Sequence, residues 1–337
     1  MRAAAALVVA LAAGAALFVL APDDDPPAPP PGRTSLAAAW PHAATADLPG
    51  LLLTPALFLD ARTVVGTRPT PDGAQLRLMR GATELRRRPV AGAPVFDNLA
   101  VHGDALVWSE SADGTATGIW AADLRTNRTR RLTADAGDVL FFGSRHDLSI
   151  HDGRVSWATA AGAGATAVRT VALTGGPVST RVEPGSWQMS AWPWLTGEGA
   201  LRNLETGKDV AVAAGGTELA TCGPVWCRVM VTGAGGLVRI DVMHPDGTAR
   251  QRVAGPAAGA ALPDAAVLDR FEVLTEPQPN SAVTGTEGLL VHDITTKRTV
   301  DLSVAATAVH CRGTVLFWST GDSPETTVWH TLDLATV

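Results

Sequence analysis

The chain carries little charge and almost no lysine. Charged residues make up 18% of its 337 positions, the net charge is −6, and lysine occurs only at Lys208 and Lys297. Nucleic-acid-binding domains present a basic stripe or patch, and this composition provides none, so no nucleic-acid partner is expected. Two arginine clusters fall on predicted outermost strands, where charge keeps sheet edges solvated and apart. These arginines are Arg86, Arg87, Arg88, Arg128, Arg130 and Arg131.

Motifs of the common catalytic classes are also missing. The sequence has no Gly-x-Ser-x-Gly nucleophile elbow and no His-Glu-x-x-His zinc motif. The glycine-rich stretch 161–164 precedes no helical pattern, so it predicts a hairpin loop and not a dinucleotide site. We therefore assign no catalytic residue and no cofactor. Carboxylates could still meet inside a ring-shaped fold, and the scattered acidic residues are Asp60, Asp97, Asp138, Asp264 and Glu218.

Helical periodicity is almost absent after residue 33, whereas turn signals recur along the chain. Glycine stands within short polar turns between alternating apolar and polar stretches, a pattern typical of β-strands joined by tight turns. The turn signals lie at residues 71–73, 112–114, 174–176, 205–207 and 245–247. The sequence therefore predicts an all-β fold.

One stretch, residues 99–133, is repeated along the chain. It contains a short apolar strand, an alternating strand, a glycine-containing hairpin, a third strand and a short basic strand. Clear copies begin at Leu148 and Thr307, and looser copies begin near Phe58, Gln188, Leu219 and Ala266. In the three clear units a histidine closes the first strand and a tryptophan lies in the second. These residues are His102, His151 and His310, followed by Trp108, Trp157 and Trp318.

The repeat period of about 40 residues is that of a four-stranded propeller blade. We predict a β-propeller with seven four-stranded blades; six or eight remain open because the copy near Gln188 is short. The ten tryptophans are expected to pack between blades. The last copy ends after its third strand, while residues 34–53 have no place in the first copy. We predict that a strand from residues 34–53 completes the last blade and closes the ring.

The N-terminus has a different character. Residues 3–21 form an apolar run long enough to span a membrane, and Pro22 disfavours signal cleavage, so we favour an uncleaved anchor over a removed signal peptide. Arg2 before the run and acidic residues after it place the body outside the membrane. The predicted organisation is an anchor or signal helix at 1–22, a proline-rich linker at 23–33 and a propeller at 34–337.

Three cysteines are present. Cys222 and Cys227 flank a short Gly-Pro loop and are expected to form a disulfide across a hairpin, while Cys311 is expected to be buried as a free thiol. The histidines at matching positions could line the central channel. Three imidazoles there could bind zinc or copper, but we favour a structural role for each within its own blade and predict no metal site.

The chain resembles the TolB-like and WD40-like β-propellers of exported actinobacterial proteins. The resemblance rests on the tryptophan-containing second strands and on short motifs at residues 39–41, 58–60, 65–67, 123–126 and 222–227. It implies binding and scaffolding and supplies no shared active site.

We therefore expect a non-catalytic, membrane-anchored, extracytoplasmic propeller, otherwise a secreted one. It would act as a monomer and bind a protein or a component of the cell envelope. The alternatives are an enzyme acting on a carbohydrate or ester in the channel and a sensor domain for a small ligand.

Overall fold

The structure is a computed structural model that describes residues 33–162 and 164–337. In this part of the chain seven sheets follow one another, six with four strands and one with five. The prediction of an all-β propeller with seven four-stranded blades is confirmed. The predicted N-terminal helix at 1–22 and all of the linker except Arg33 lie outside the described residues. No helix within the described ranges is long and apolar enough to cross a membrane.

The first two strands that the structure describes belong to the last two blades. They are β1 (Arg33–Ser35) and β2 (Thr45–Pro49), separated by the one-turn helix α1 (Leu36–Ala39). Blades 1 to 5 then each use four consecutive strands, in the order of the chain.

The strands of blades 1 and 2 are β3 (Thr54–Phe58), β4 (Val64–Pro69), β5 (Gln75–Arg80), β6 (Thr83–Pro89), β7 (Val95–His102), β8 (Ala105–Ser111), β9 (Gly118–Asp123) and β10 (Arg128–Thr133). Those of blades 3 and 4 are β11 (Ser149–His151), β12 (Arg154–Ala160), β13 (Ala165–Ala172), β14 (Ser179–Pro184), β15 (Trp187–Met189), β16 (Trp194–Gly197), β17 (Ala200–Asn203) and β18 (Asp209–Ala211).

Blade 5 consists of β19 (Glu218–Cys222), β20 (Cys227–Gly233), β21 (Gly236–Met243) and β22 (Gln251–Ala254). The remaining strands are β23 (Gly259–Ala260), β24 (Phe271–Pro277), β25 (Glu287–Asp293) and β26 (Arg298–Ala306) in blade 6, and β27 (Ala308–Arg312), β28 (Val315–Thr320) and β29 (Val328–Asp333) in blade 7. The one-turn helix α2 (Ser281–Thr284) lies between β24 and β25.

The ring is closed by the early strand that the sequence predicted. Strand β2 pairs antiparallel with β29, from Thr45 opposite Leu332 to Pro49 opposite Val328, and becomes the fourth strand of blade 7. The Thr331 hydroxyl donates a 2.7 Å hydrogen bond to the Ala61 carbonyl, which ties blade 7 to blade 1. One pairing was not predicted: β1 adds a fifth strand beside β26 in blade 6. Each addition covers a sheet edge that would otherwise expose backbone groups.

Tryptophans fill the spaces between neighbouring blades, as the sequence predicted. Trp108 is fully buried in a cluster with Leu57 and Leu78 of blade 1. Trp157 is fully buried against blade 2, and Trp318 packs with Val273 of blade 6. Each indole packs against the preceding blade, so tryptophan recurs along the sequence because the same interblade packing recurs.

Aspartate or asparagine caps several turns between third and fourth strands. The Asp123 carboxylate accepts hydrogen bonds of 2.9 Å from the backbone N–H groups of Arg125 and Thr126. Asn203 and Asp293 cap the corresponding turns of blades 4 and 6 in the same way. The motif at residues 123–126, Asp-Leu-Arg-Thr, is therefore a turn capped by the side chain of its first residue. The need for this cap accounts for the recurrence of similar sequences at corresponding turns.

Candidate functional site

An apolar cavity of about 330 Å³ opens on the upper face, which we define as the face holding the connections between blades and the loops between second and third strands. It lies between blades 3 and 4. Phe142 and Leu140 form one wall, and Trp187 and Gln188 form another. Phe142 is 50% exposed, so half of its aromatic surface is available to a ligand in the cavity.

Local pairing explains how these walls arise. Residues 138–140 run beside β12, with Leu140 donating a backbone hydrogen bond to Ala158 over 3.0 Å. Trp187 is fixed on the other side because its backbone N–H donates to the Thr166 hydroxyl over 2.9 Å and its indole N–H donates to the Pro184 carbonyl over 2.7 Å. The cavity is therefore held by backbone geometry on both sides.

Two interrupted inner strands meet across the channel. In blade 3, residues 138–140 pair with β12, and the chain pairs with β12 again only at β11. In blade 6, a comparable loop separates β23 from β24. The Ser144 hydroxyl donates to one carboxylate oxygen of Asp264 over 2.6 Å, and the Arg145 N–H donates to the other over 2.9 Å. Blades 3 and 6 lie across the ring from one another, so this contact spans the channel. We call residues 142–147 and 262–266 together the channel closure.

Neighbouring blades hold the channel closure from its sides. Arg312 of blade 7 donates a 2.6 Å hydrogen bond to the Ser144 carbonyl. Arg228 of blade 5 donates to the carbonyls of Pro263 and Asp264 over 2.9 and 3.2 Å. It also forms a 2.8 Å ion pair with Glu272, which is fully buried. Four of the seven blades therefore contribute to the closure.

Burial controls the protonation of the groups in the closure. Burial, with the positive charge of Arg145, lowers the pKa of His146 to about 4, so the ring is neutral at pH 7. Burial raises the pKa of the Asp147 carboxyl to about 6, although the backbone N–H of Phe142 donates to it over 3.0 Å. Burial also raises the pKa of the Cys311 thiol to about 12, so this cysteine is not a nucleophile at neutral pH.

No family model and no curated protein matches the sequence. Solved structures do match its fold. The tricorn protease aligns with a TM-score of 0.50 and 9% identity over 86% of this chain and 34% of that one. The β-propeller domain of the Trilobed protease from Pyrococcus furiosus gives 0.47 and 9% over 68% of this chain and 80% of that one. TolB from Acinetobacter baumannii gives 0.34 and 11% over 80% of this chain and 63% of that one.

The chain has a seven-bladed β-propeller fold that is similar to part of the tricorn protease structure. At identities of 9% and 11% the likeness concerns the fold alone. The chain also spans only 34% of the length of the tricorn protease chain. The activities of these proteins are therefore not transferred to this propeller.

The propeller places the three predicted histidines at the inner strands of different blades. His151 stacks on Trp192 of blade 4 with ring centroids 3.5 Å apart, and burial lowers its pKa. His310 lies beside Phe317 within β27, two residues before the strand ends, and burial lowers its pKa as well. His102 ends β7. Among the described residues no group of three or more His, Cys, Asp or Glu side chains could hold a metal ion.

The expected disulfide is present. Cys222 and Cys227 are bonded at 2.02 Å and face each other across the first hairpin of blade 5. Cys311 is a buried free thiol, as expected. The disulfide thus links two strands that already pair.

Of the scattered acidic residues, only Asp264 takes part in the contact across the channel. Asp60 caps a turn in blade 1, and Glu218 pairs with Arg250. Sequence reasoning missed Ser144 and Asp147. The available signal was length, because about fifteen residues separate β10 from β11, far more than most connections between blades contain.

Proposed function

We propose that this propeller is a non-catalytic binding module that receives a partner at the upper mouth of its channel. The observation that carries the proposal is the cavity of about 330 Å³ with the half-exposed Phe142 on its wall. A concave apolar site with a few polar groups is the usual form of a binding site, and its exposed aromatic group gains free energy when covered. The channel closure spans the channel, so a ligand would be held at the mouth.

The partner that fits this cavity best is a polypeptide with an apolar side chain. The walls offer Phe142, Leu140 and Trp187 to such a side chain. Gln188 and Ser186 lie on the same rim and offer hydrogen-bonding groups to a peptide backbone. A component of the cell envelope with an apolar group would be the other occupant.

An extracytoplasmic location fits this proposal. The Cys222–Cys227 disulfide is of the kind that persists in oxidising compartments. The apolar run at residues 3–21 would anchor the protein in a membrane, and the proline-rich linker would hold the monomeric propeller away from that surface.

The test compares two serine substitutions in the full chain. Phe142→Ser removes the exposed aromatic group of the cavity, whereas Val283→Ser removes an 89% exposed apolar group on α2. After cross-linking in intact cells, the parent and Val283→Ser should retain one defined protein. Phe142→Ser should lose most of it, since burying the exposed half of one aromatic side chain is worth up to about a tenfold change in affinity. Equal recovery from both variants, or capture of a polymer without protein, would contradict the proposal.

A second candidate function is hydrolysis of a carbohydrate or ester in the channel. Its support is the raised pKa of Asp147, about 6, because a general acid works best when its pKa lies near the working pH. This carboxyl is buried within the channel closure and accepts the Phe142 N–H, so catalysis would require the closure to open. The test is turnover of chromogenic glycosides and esters by the parent and by Asp147→Asn. Activity that follows a pKa near 6 and disappears in a folded Asp147→Asn would replace the binding proposal with this one.

A further inference from the structure

A second cavity, of about 200 Å³, opens at the outer rim between blades 1 and 2. Strand β6 of blade 1 supplies Arg86 and Arg88 to it, and blade 2 supplies Glu110, Trp120 and Arg131. We call this cavity the rim cleft. It lies away from the channel and shares no residue with the cavity beside Phe142.

The strand register brings these side chains together. Trp108, Trp120 and Arg131 are directly opposite one another on β8, β9 and β10, so they form one row on one face of blade 2. The Trp120 ring stacks on Trp108 at 6.4 Å, and the Arg86 guanidinium lies 3.8 Å from the Trp120 ring centre. Gly118 lies opposite Glu110, two residues before Trp120 on β9, and lines the cleft without a side chain.

The rim cleft contains more positive than negative charge. The buried Glu110 carboxylate accepts two hydrogen bonds from Arg86, of 2.8 and 3.0 Å, and also faces Arg88 at 3.2 Å. Arg131 has no carboxylate partner within the described structure. The rim cleft therefore contains three guanidinium groups and one carboxylate, in a chain whose net charge is −6.

Arginines in blades 4 and 5 are matched by acids. Arg202, which also lies over a tryptophan ring, pairs with both Asp209 and Glu183. Arg250 pairs with both Glu218 and Asp241. Blades 4 and 5 therefore pack with these arginines balanced by carboxylates, so blade packing does not by itself require the excess positive charge of the rim cleft.

We propose that the rim cleft binds a phosphate group, either free or as the monoester of a small alcohol. Planar guanidinium groups bind such oxyanions through paired, charge-assisted hydrogen bonds. The Ser111 hydroxyl lines the same cavity and adds a donor. Its volume of about 200 Å³ suits a phosphate or a small phosphate ester and lies below the roughly 300–1,000 Å³ of sites for larger organic ligands.

The test measures binding of inorganic phosphate and of glycerol 3-phosphate to the purified full chain by calorimetry, at constant ionic strength set with chloride. Arg131→Gln removes a charge from the cleft, and Arg130→Gln removes the same charge from the next position, which points to the opposite face of β10. The parent should bind one equivalent. Arg131→Gln should weaken binding about tenfold or more, because hydrogen bonds between charged groups contribute that much, whereas Arg130→Gln should change it less than about twofold.

Both exposed substitutions should leave the thermal unfolding midpoint unchanged, so a loss of binding reports on the site. Binding of the ester together with phosphate assigns a phosphorylated molecule as ligand, and binding of phosphate alone assigns the free ion. No saturable binding of either probe, or equal weakening by the two variants, would overturn the proposal. Neither result bears on the partner of the cavity beside Phe142.

Discussion

Replacing Arg228 by methionine should be among the most destabilising single changes in the propeller. The substitution keeps an unbranched side chain but removes the positive charge that faces Glu272, a carboxylate with no exposure to solvent. It also removes the hydrogen bonds to the Pro263 and Asp264 carbonyls. Breaking a buried ion pair by removing one partner costs about 3–5 kcal/mol, so the free energy of unfolding should fall by that amount.

The double variant Arg228→Met with Glu272→Gln separates charge from packing. Glutamine can still accept the 2.9 Å hydrogen bond from the Ala266 N–H through its carbonyl oxygen, while the uncompensated charge is gone. The double variant should therefore recover part of the loss and remain about 1–3 kcal/mol below the parent, the cost of the unpaired carbonyls. The measurement is urea unfolding followed by tryptophan fluorescence at pH 7. A double variant as unstable as Arg228→Met, or less stable, would refute this account of the closure.

Three further outcomes follow from single contacts. Thr331→Val should lower the free energy of unfolding by about 1–2 kcal/mol in a urea titration, because the buried Ala61 carbonyl loses its donor. His146→Gln should make the protein more resistant to acid. The pKa of His146 is about 4 in the folded chain against an ordinary 6.5, so the unfolded state takes up its proton first as the pH falls. The parent therefore loses stability between about pH 6.5 and pH 4, and the variant lacks this loss. Unfolding measured at pH 7 and pH 5 should show that the difference between parent and variant is confined to the lower pH. Replacing Cys222 and Cys227 together by serine should lower the free energy of unfolding by only about 2 kcal/mol, since the loop they close is short.

The blades and the pairing that closes the ring could be predicted because each leaves a local pattern in the sequence. The alternation around Trp108 marks a strand with one buried face, and the capped turn at Asp123 marks the passage to an outer strand. The last copy of the repeat lacks a fourth strand, and the residues before Thr54 belong to no copy. A strand from these residues could therefore be predicted to complete the last blade. The physical basis is that every blade faces the same packing problem and solves it with the same residues.

The fifth strand of blade 6 and the channel closure could not be predicted in this way. Strand β1 is three residues long and carries no alternation. The contact between Ser144 and Asp264 joins residues 120 positions apart in two different blades. The sequence around Ser144 does not indicate Asp264 as its partner, or the reverse, because the two residues meet only when the ring of blades is complete. The carboxylate at Asp264 was visible as an acidic residue, but its partner and role depend on the closed ring.

The cavity and the channel closure share a segment, which links binding at the mouth to the interior. Phe142 lines the cavity, and its backbone N–H donates to Asp147 within the closure. Ser144, two residues further along, makes the contact across the channel. A partner that covers Phe142 gains most when this segment is already fixed, since ordering it on binding costs conformational entropy. Ser144→Ala removes the hydroxyl that reaches Asp264 without changing the cavity wall, so it should weaken partner capture several-fold while Phe142 remains in place. Capture equal to that of the parent would show that the mouth is held by its own backbone pairing and not by the contact across the channel.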